Sequence, residues 1–307
     1  MFGGIGSTCY DLANALSRKG VSTTVFCGRA ARNTTEKVND NLSVVSLPCY
    51  DFPPRFLWFQ LENFQFFSKL LKNYSVLHIV NPETGPLILR VAKTLKKPTL
   101  ASIHGTYLAS LGIQLGSPTH YWQLREIGSR FLGYPLHEYS QSSCLRNSDH
   151  VAVCSFSTVA ELRTMYPRLA MDKISVIHNG INISEFNISP EELHDDVSII
   201  SYGRLIYAKG FTFLIKAVAD LRKEIPNVRL QIFGNGPMKD VLMNMICELG
   251  LEANVQLNDF IPRKELIERI KRASIAVFPS LQEAQPIAFL EAMALRKPVV
   301  AFDYPVS

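Results

Sequence analysis

The chain has 307 residues, 47% of them hydrophobic and 19% charged, which excludes a disordered or low-complexity protein and suits about two globular domains. Its net charge of +5 is uneven, with 18 Lys/Arg against 12 Asp/Glu in residues 1–187 and 14 against 15 in residues 188–307, an asymmetry mild beside a polybasic arm; no nucleic-acid partner is expected. No run approaches the ~20 apolar residues that cross a membrane, no signal peptide is read at MFGGIG, and the six cysteines show neither C-x-x-C spacing nor a His cluster, so the expected setting is reduced and cytoplasmic.

Gly3-Gly4-Ile5-Gly6 precedes a helix predicted over residues 10–18. Bare backbone amides at a helix N-terminus suit an anion or a closely approaching sugar, although a plain tight turn explains the run equally well. A strand is predicted at 21–27. Residues 52–74 are unusually aromatic and read as a helix. There Leu57, Leu61, Phe64 and Leu71 share one face, which is the predicted core face, while Trp58, Phe59 and Phe66 fall off it. With the basic first half, that second face suggests peripheral membrane contact; the plainer reading is a helix buried on more than one side. Strands follow at 76–80, 98–103, 150–154 and 174–177. His104-Gly105 ends the second of these. A histidine there faces a cleft and can polarise or hydrogen-bond a substrate, or it is a satisfied structural histidine.

A boundary is predicted where Asn179-Gly180 ends a strand and a polar stretch with Pro190 follows. Residues 1–187 and 188–307 are the two predicted domains. Strands at 197–202, 228–233, 255–257, 275–278 and 298–302 alternate with helices at 211–222, 239–249, 264–271 and 287–295. Alternation of this kind means parallel, doubly wound sheets, which bind ligands at the carboxyl ends of their strands. Arg204 and Lys209 follow the first strand of the second domain and can hold a diphosphate, one as a fork and one as a point charge. Gly234-x-Gly236-Pro237 follows the next strand, with Pro237 suited to the first position of a helix. Glu283 falls in the loop before Pro286, and Glu291 lies eight residues on, inside an apolar helix. A carboxylate buried there needs partners, and ribose hydroxyls would be good donors; the alternatives are a pair with a neighbouring Arg or Lys and an exposed helix position.

Together these pieces resemble the retaining glycosyltransferases of family 4, the group 1 set with the GT-B fold. The resemblance rests on GGIG before the first helix, on His104-Gly105, on Val176-Ile177-His178-Asn179-Gly180-Ile181 with Phe186, and on Gly203-Arg204 with Lys209-Gly210. It rests also on Gly234-x-Gly236-Pro237 and on the E-x7-E pair Glu283 and Glu291, followed by Ala292-Met293-Ala294 and Pro298-Val299-Val300. It implies two Rossmann-like domains facing across a cleft. It implies transfer of a sugar from a nucleotide-diphosphate sugar to a hydroxyl of a glycan, a lipid-linked acceptor or a small molecule. It implies retention of configuration, with no cofactor and no required metal. The implied catalytic residues are His104, Arg204, Lys209 and Glu283. Arg204 and Lys209 would neutralise the leaving diphosphate, Glu283 would lie by the donor sugar, and His104 would sit over that sugar from the other domain. Glu291 would bind the ribose, and Gly4, Gly234, Gly236 and Ile287 would complete the donor site.

The chain departs from the family pattern at Gln285-Pro286, usually Phe-Gly, and at Arg296, usually Gly. By that pattern the first strand and the C-terminal part of the second domain are expected to be missing. Two other functions fit the same fold: a nucleotide-sugar epimerase and a non-catalytic nucleotide-binding fragment.

Overall fold

The computed structural model describes residues 4–30, 33–50, 55–105, 121–186 and 197–303. The predicted domain boundary at 187 lies outside them. The described strands of the first domain form two sheets. One has the order β1-β3-β2, from β1 (Thr23–Ala30), β2 (Thr34–Asn39) and β3 (Leu42–Pro48). The other is the parallel series β4 (Leu77–Ile79), β5 (Thr99–Ile103), β6 (His150–Val153) and β7 (Ile174–Val176), paired in that order. Sequence reading missed β2 and β3. β2 is exposed along its whole length, so it carries no burial pattern, and it pairs antiparallel to β3 in an otherwise parallel series. The Asn39-Asp40-Asn41 turn between them was the available signal.

Helices cover these sheets: α1 (Gly4–Arg18), α2 (Arg55–Leu70), α3 (Pro86–Thr94), α4 (Tyr121–Asn147) and α5 (Phe156–Met165). α1 begins at Gly4, so Gly4 and Gly6 form its first turn instead of a loop ahead of it, a correction to the predicted start at residue 10. Predicted and observed faces of α2 also differ. Phe56, Phe59, Gln60, Asn63 and Phe67 are buried, whereas Leu61 and Phe64 are 52% and 41% exposed. Two buried amides decide this. Gln60 donates to the Phe56 and Glu83 carbonyls and accepts from Leu87 N, and Asn63 donates to the Pro48 and Phe59 carbonyls. They satisfy backbone groups of the 82–87 turn and of the end of β3, which outweighs the apolar count on the other face. Phe59 and Phe67 then join Leu47, Ile88 and Val91 in one core that links both sheets, with Phe66 packed against it.

The second domain is one parallel sheet of order β10-β9-β8-β11-β12. Its strands are β8 (Ser198–Tyr202), β9 (Arg229–Phe233), β10 (Val255–Asn258), β11 (Ile275–Phe278) and β12 (Val299–Ala301). Ile199 and Ile200, adjacent on β8, feed separate cores on opposite faces. One core takes α6 (Phe211–Leu221) and α7 (Lys239–Glu248), and the other takes α8 (Arg263–Arg272) and α9 (Ile287–Ala294). This is a doubly wound sheet whose order reverses between β8 and β11. Pro237 lies in a turn before α7, not at its first position, because Met238 N bonds the Leu205 carbonyl at 2.9 Å and delays the helix.

Candidate active site

Strands that diverge at a topological switch point leave a crevice at their carboxyl ends. Here a cleft of about 1120 Å³ opens there, walled by both domains. The second domain supplies the loops after β8, β9 and β11. Those loops interlock through backbone. Leu205 N donates to Asn235 O at 3.0 Å, Gly203 N to Phe233 O at 3.0 Å, and Leu281 N to Ala208 O at 2.8 Å. The contacts are close enough to require glycine. Gly210 has φ +67°, and a Cβ there would collide with the Pro279 carbonyl; a Cβ on Gly236 would strike the Leu205 backbone.

The charged groups follow from these loops. Lys209 forms an ion pair with Glu283, whose Oε1 also accepts from Ser280 Oγ at 2.8 Å. Arg204 is exposed on the cleft wall, and among the described residues no carboxylate pairs with it. Opposite, at the end of β5, His104 lines the same cleft. Burial holds its imidazole below the ordinary histidine value, so it is neutral at pH 7. Its Nε2 is buried and, among the described residues, makes no hydrogen bond. The two walls meet beside it, since a Cβ on Gly105 would lie 3.9 Å from the Ala284 side chain.

Glu291, on α9, is buried. Burial pushes its carboxyl above the ordinary range, partly offset by Arg263 and by the nearby Tyr202 hydroxyl. The Tyr202 hydroxyl also lies 3.0 Å from the Ala288 carbonyl. Thus Glu291 has the neighbouring arginine that the plainer sequence reading allowed, and it still lines the cleft.

The structure brings His104, Arg204, Lys209, Gly234, Glu283, Ile287 and Glu291 to one cleft. Gly236 stands behind it, against Leu205. Gly4 opens α1, and Ser7, Thr8 and Tyr10 of that helix line the cleft. Sequence reading missed these three, Tyr202 and Arg263. It also missed the role of Gln285, whose Oε1 accepts from Asn179 N at 2.5 Å and whose carbonyl accepts from Asn179 Nδ2 at 3.3 Å. Tyr202 was readable as a polar end to a buried strand; Arg263 carried no local signal. Among the described residues no group of three or more His, Cys, Asp or Glu could hold a metal, and no described helix is long and apolar enough to cross a membrane.

Residues 2–185 match the family described as Glycosyltransferase Family 4, and residues 183–307 match Glycosyl transferases group 1. An uncharacterized glycosyltransferase of Methanocaldococcus jannaschii is 29% identical over 97% of this chain and 76% of its own length. Among solved structures, sucrose-phosphate synthase from Thermosynechococcus elongatus superposes with a TM-score of 0.77 at 21% identity, over 97% of this chain and 75% of that one. Anabaena HepE, solved in complex with UDP-glucose, gives 0.62 at 18% identity, over 78% of this chain and 62% of that one. With both halves of the sequence matched and both Rossmann-like domains in place, the chain belongs to the family 4, group 1 glycosyltransferases and has the GT-B fold.

Proposed function

We propose that the enzyme is a retaining glycosyltransferase that moves a sugar from a nucleoside diphosphate sugar to a hydroxyl of a glycan or lipid-linked acceptor. The observation that carries the reading is the convergence of two cations, two carboxylates and an orphaned neutral histidine on one cleft at the switch point. Breaking the sugar–phosphate bond leaves a diphosphate whose charge grows through the transition state. Fixed cations aimed at it are usually the largest catalytic contribution. Arg204 stands ready for that charge, and Lys209, held at the cleft by Glu283, would be shared with the diphosphate. These two cations take the part a metal plays elsewhere, so no cofactor is assigned. Glu291 accepts from the ribose hydroxyls. His104 Nε2 meets the donor sugar from the first domain, while Glu283 and the amides of its loop meet it from the second. Gly234 and Ile287 give the walls close approach, and Gly4 brings the start of α1 to the phosphates.

The relative solved with UDP-glucose makes UDP-sugars the first donors to test. UDP should raise the melting temperature by mass action, and Arg204→Ala/Lys209→Ala should abolish the shift. Turnover of a UDP-sugar should yield a product with the donor's anomeric configuration and proceed unchanged in EDTA. An inverted product overturns retention, loss of rate in EDTA overturns metal independence, and a rearranged nucleotide sugar formed without acceptor identifies an epimerase. Of the aromatic face expected to meet a bilayer, Phe59 is only 8% exposed and packs inward while Trp58 and Phe66 are half-buried, so for a lipid-linked acceptor the exposed Leu61 and Phe64 of α2 are the residues to substitute first.

A further inference from the structure

One arginine of the second domain is held by carboxylates from three parts of the chain. Arg263 opens α8. Its Nη1 lies 3.4 Å from Asp11 Oδ2 on α1, its Nε 3.2 Å from Glu185 Oε2, and its Nη2 3.5 Å from Glu291 Oε1. Its guanidinium also sits 5.6 Å from the centre of the Phe186 ring. The side chains of Asp11 and Glu291 are only 10% and 12% exposed. All three separations exceed the ~2.7–2.9 Å of a charge-assisted hydrogen bond. Nε and Nη2 are buried and make no hydrogen bond of good geometry. The guanidinium is therefore strung between three acceptors, and its one hydrogen bond, from Nη1 to Asp11 Oδ2, is long at 3.4 Å, so its bonding can be redistributed at little cost. Asp11 belongs to the first domain, Glu291 to the donor side of the second, and nothing else in this cluster bridges them.

We propose that Arg263 is a positioning residue that couples occupancy of Glu291 to the grip of the second domain on α1. The inference rests on Glu291 being the ribose-binding carboxylate. Ribose hydroxyls that donate to Glu291 use acceptor capacity now shared with Arg263. The guanidinium then moves toward Asp11 and Glu185. Ser7, Thr8 and Tyr10, on the same helix as Asp11, wall the cleft, so a tighter Asp11–Arg263 pair brings that wall to the donor. Coupling of this kind is reciprocal: whatever strengthens the Asp11–Arg263 pair must strengthen donor binding by the same factor.

The test is a double-mutant cycle on the full chain, read as UDP affinity by calorimetry. Asp11→Asn should weaken UDP binding by about five- to tenfold, although Asp11 is not assigned to the nucleotide. In an Arg263→Gln background the same change should have less than about a twofold effect. Equal effects of Asp11→Asn in both backgrounds, or no effect in either, overturn the coupling. Asp11→Ser replaces Asp11→Asn if the latter fails to show a cooperative melt. Glu291→Gln separates the two ideas. If it leaves UDP affinity unchanged, the ribose assignment fails and the coupling with it. If it weakens UDP while Asp11→Asn does not, the assignment stands and the coupling alone is wrong. X-ray scattering supplies a readout that a merely structural role would not move: UDP should shrink the radius of gyration of the wild type and not of Asp11→Asn.

Discussion

Asp11 and Glu291 both have carboxyls raised above their ordinary values, in each case chiefly by burial. A carboxyl raised by folding contributes stability that is complete when it is protonated and is lost as pH rises through its folded value. Arg263 limits that loss, because its charge lowers both; Glu185, Arg18 and Tyr202 are the other groups facing the pair. Arg263→Met should therefore cost about 2 kcal/mol at pH 8, below the ~3–5 kcal/mol of a fully buried pair because Arg263 is partly exposed. The cost should shrink as pH falls through the two raised values toward pH 4. Urea midpoints at the two pH values check this, and an equal loss at both would contradict it. Glu283 makes a second prediction at this scale. It forms an ion pair with Lys209 and, on the proposed reading, would compete with a diphosphate for it. Glu283→Gln should tighten UDP about threefold, a fraction of a kcal/mol, while transfer falls about a hundredfold. Parallel losses of affinity and rate would mean that Glu283 does not compete for the lysine.

Two helices end on a residue that glycine would suit better. Lys96 follows α3 with φ +52°, and Arg296 follows α9 with φ +56°. Both stand before Lys-Pro and a strand, where the chain must turn sharply. An L-residue in this conformation costs about 1–2 kcal/mol, and glycine gives back about half of that through its freer unfolded chain. Arg296→Gly and Lys96→Gly should each stabilise by about 0.5–1 kcal/mol in chemical denaturation. The sequence departure at Arg296 is thus accommodated in the left-handed conformation that the family's usual glycine serves. For α2, the observed face is tested by a pair of truncations. Phe67→Ala should cost about 3 kcal/mol and Phe64→Ala less than about 0.5 kcal/mol; the reverse order would restore the face that the apolar count favours.

At the scale of the whole molecule, polar contacts among the described residues join the two domains and the segment between them, several of them at the cleft. Arg263 holds Asp11 and Glu185, Arg18 reaches Asn182 at 3.5 Å, and Gln285 holds Asn179. Gln285 occupies a position where the family usually has phenylalanine, and here its amide satisfies the backbone just after β7. Gln285→Ala leaves Asn179 N unpaired, which costs about 1 kcal/mol. Hydrogen exchange at that amide should accelerate by nearly tenfold, and an unchanged rate would show that the contact is not maintained in solution.

Several features were determined by the sequence alone, because they depend on local order along the chain. The ten predicted strands were legible as short apolar runs, the second sheet's loops as Gly and Pro punctuation, and the E-x7-E spacing as a loop and a helix face. That His104, Arg204, Lys209 and Glu283 line the cleft was legible for the same reason, since each stands at or just after the carboxyl end of a strand, and Glu291 joins them from the helix that follows. Gly236 was legible as a turn, but only tertiary contact shows it set behind the cleft, against Leu205. The phase of α2 was not local: Gln60 and Asn63 decide it by reaching carbonyls of other elements. Nor was the Arg263 cluster, whose members stand at positions 11, 185, 263 and 291 and meet only when both domains are in place. Periodicity reports which side of an element is apolar. Which charges share one buried space is a property of the fold, because burial and distance, not spacing, set the strength of their interaction.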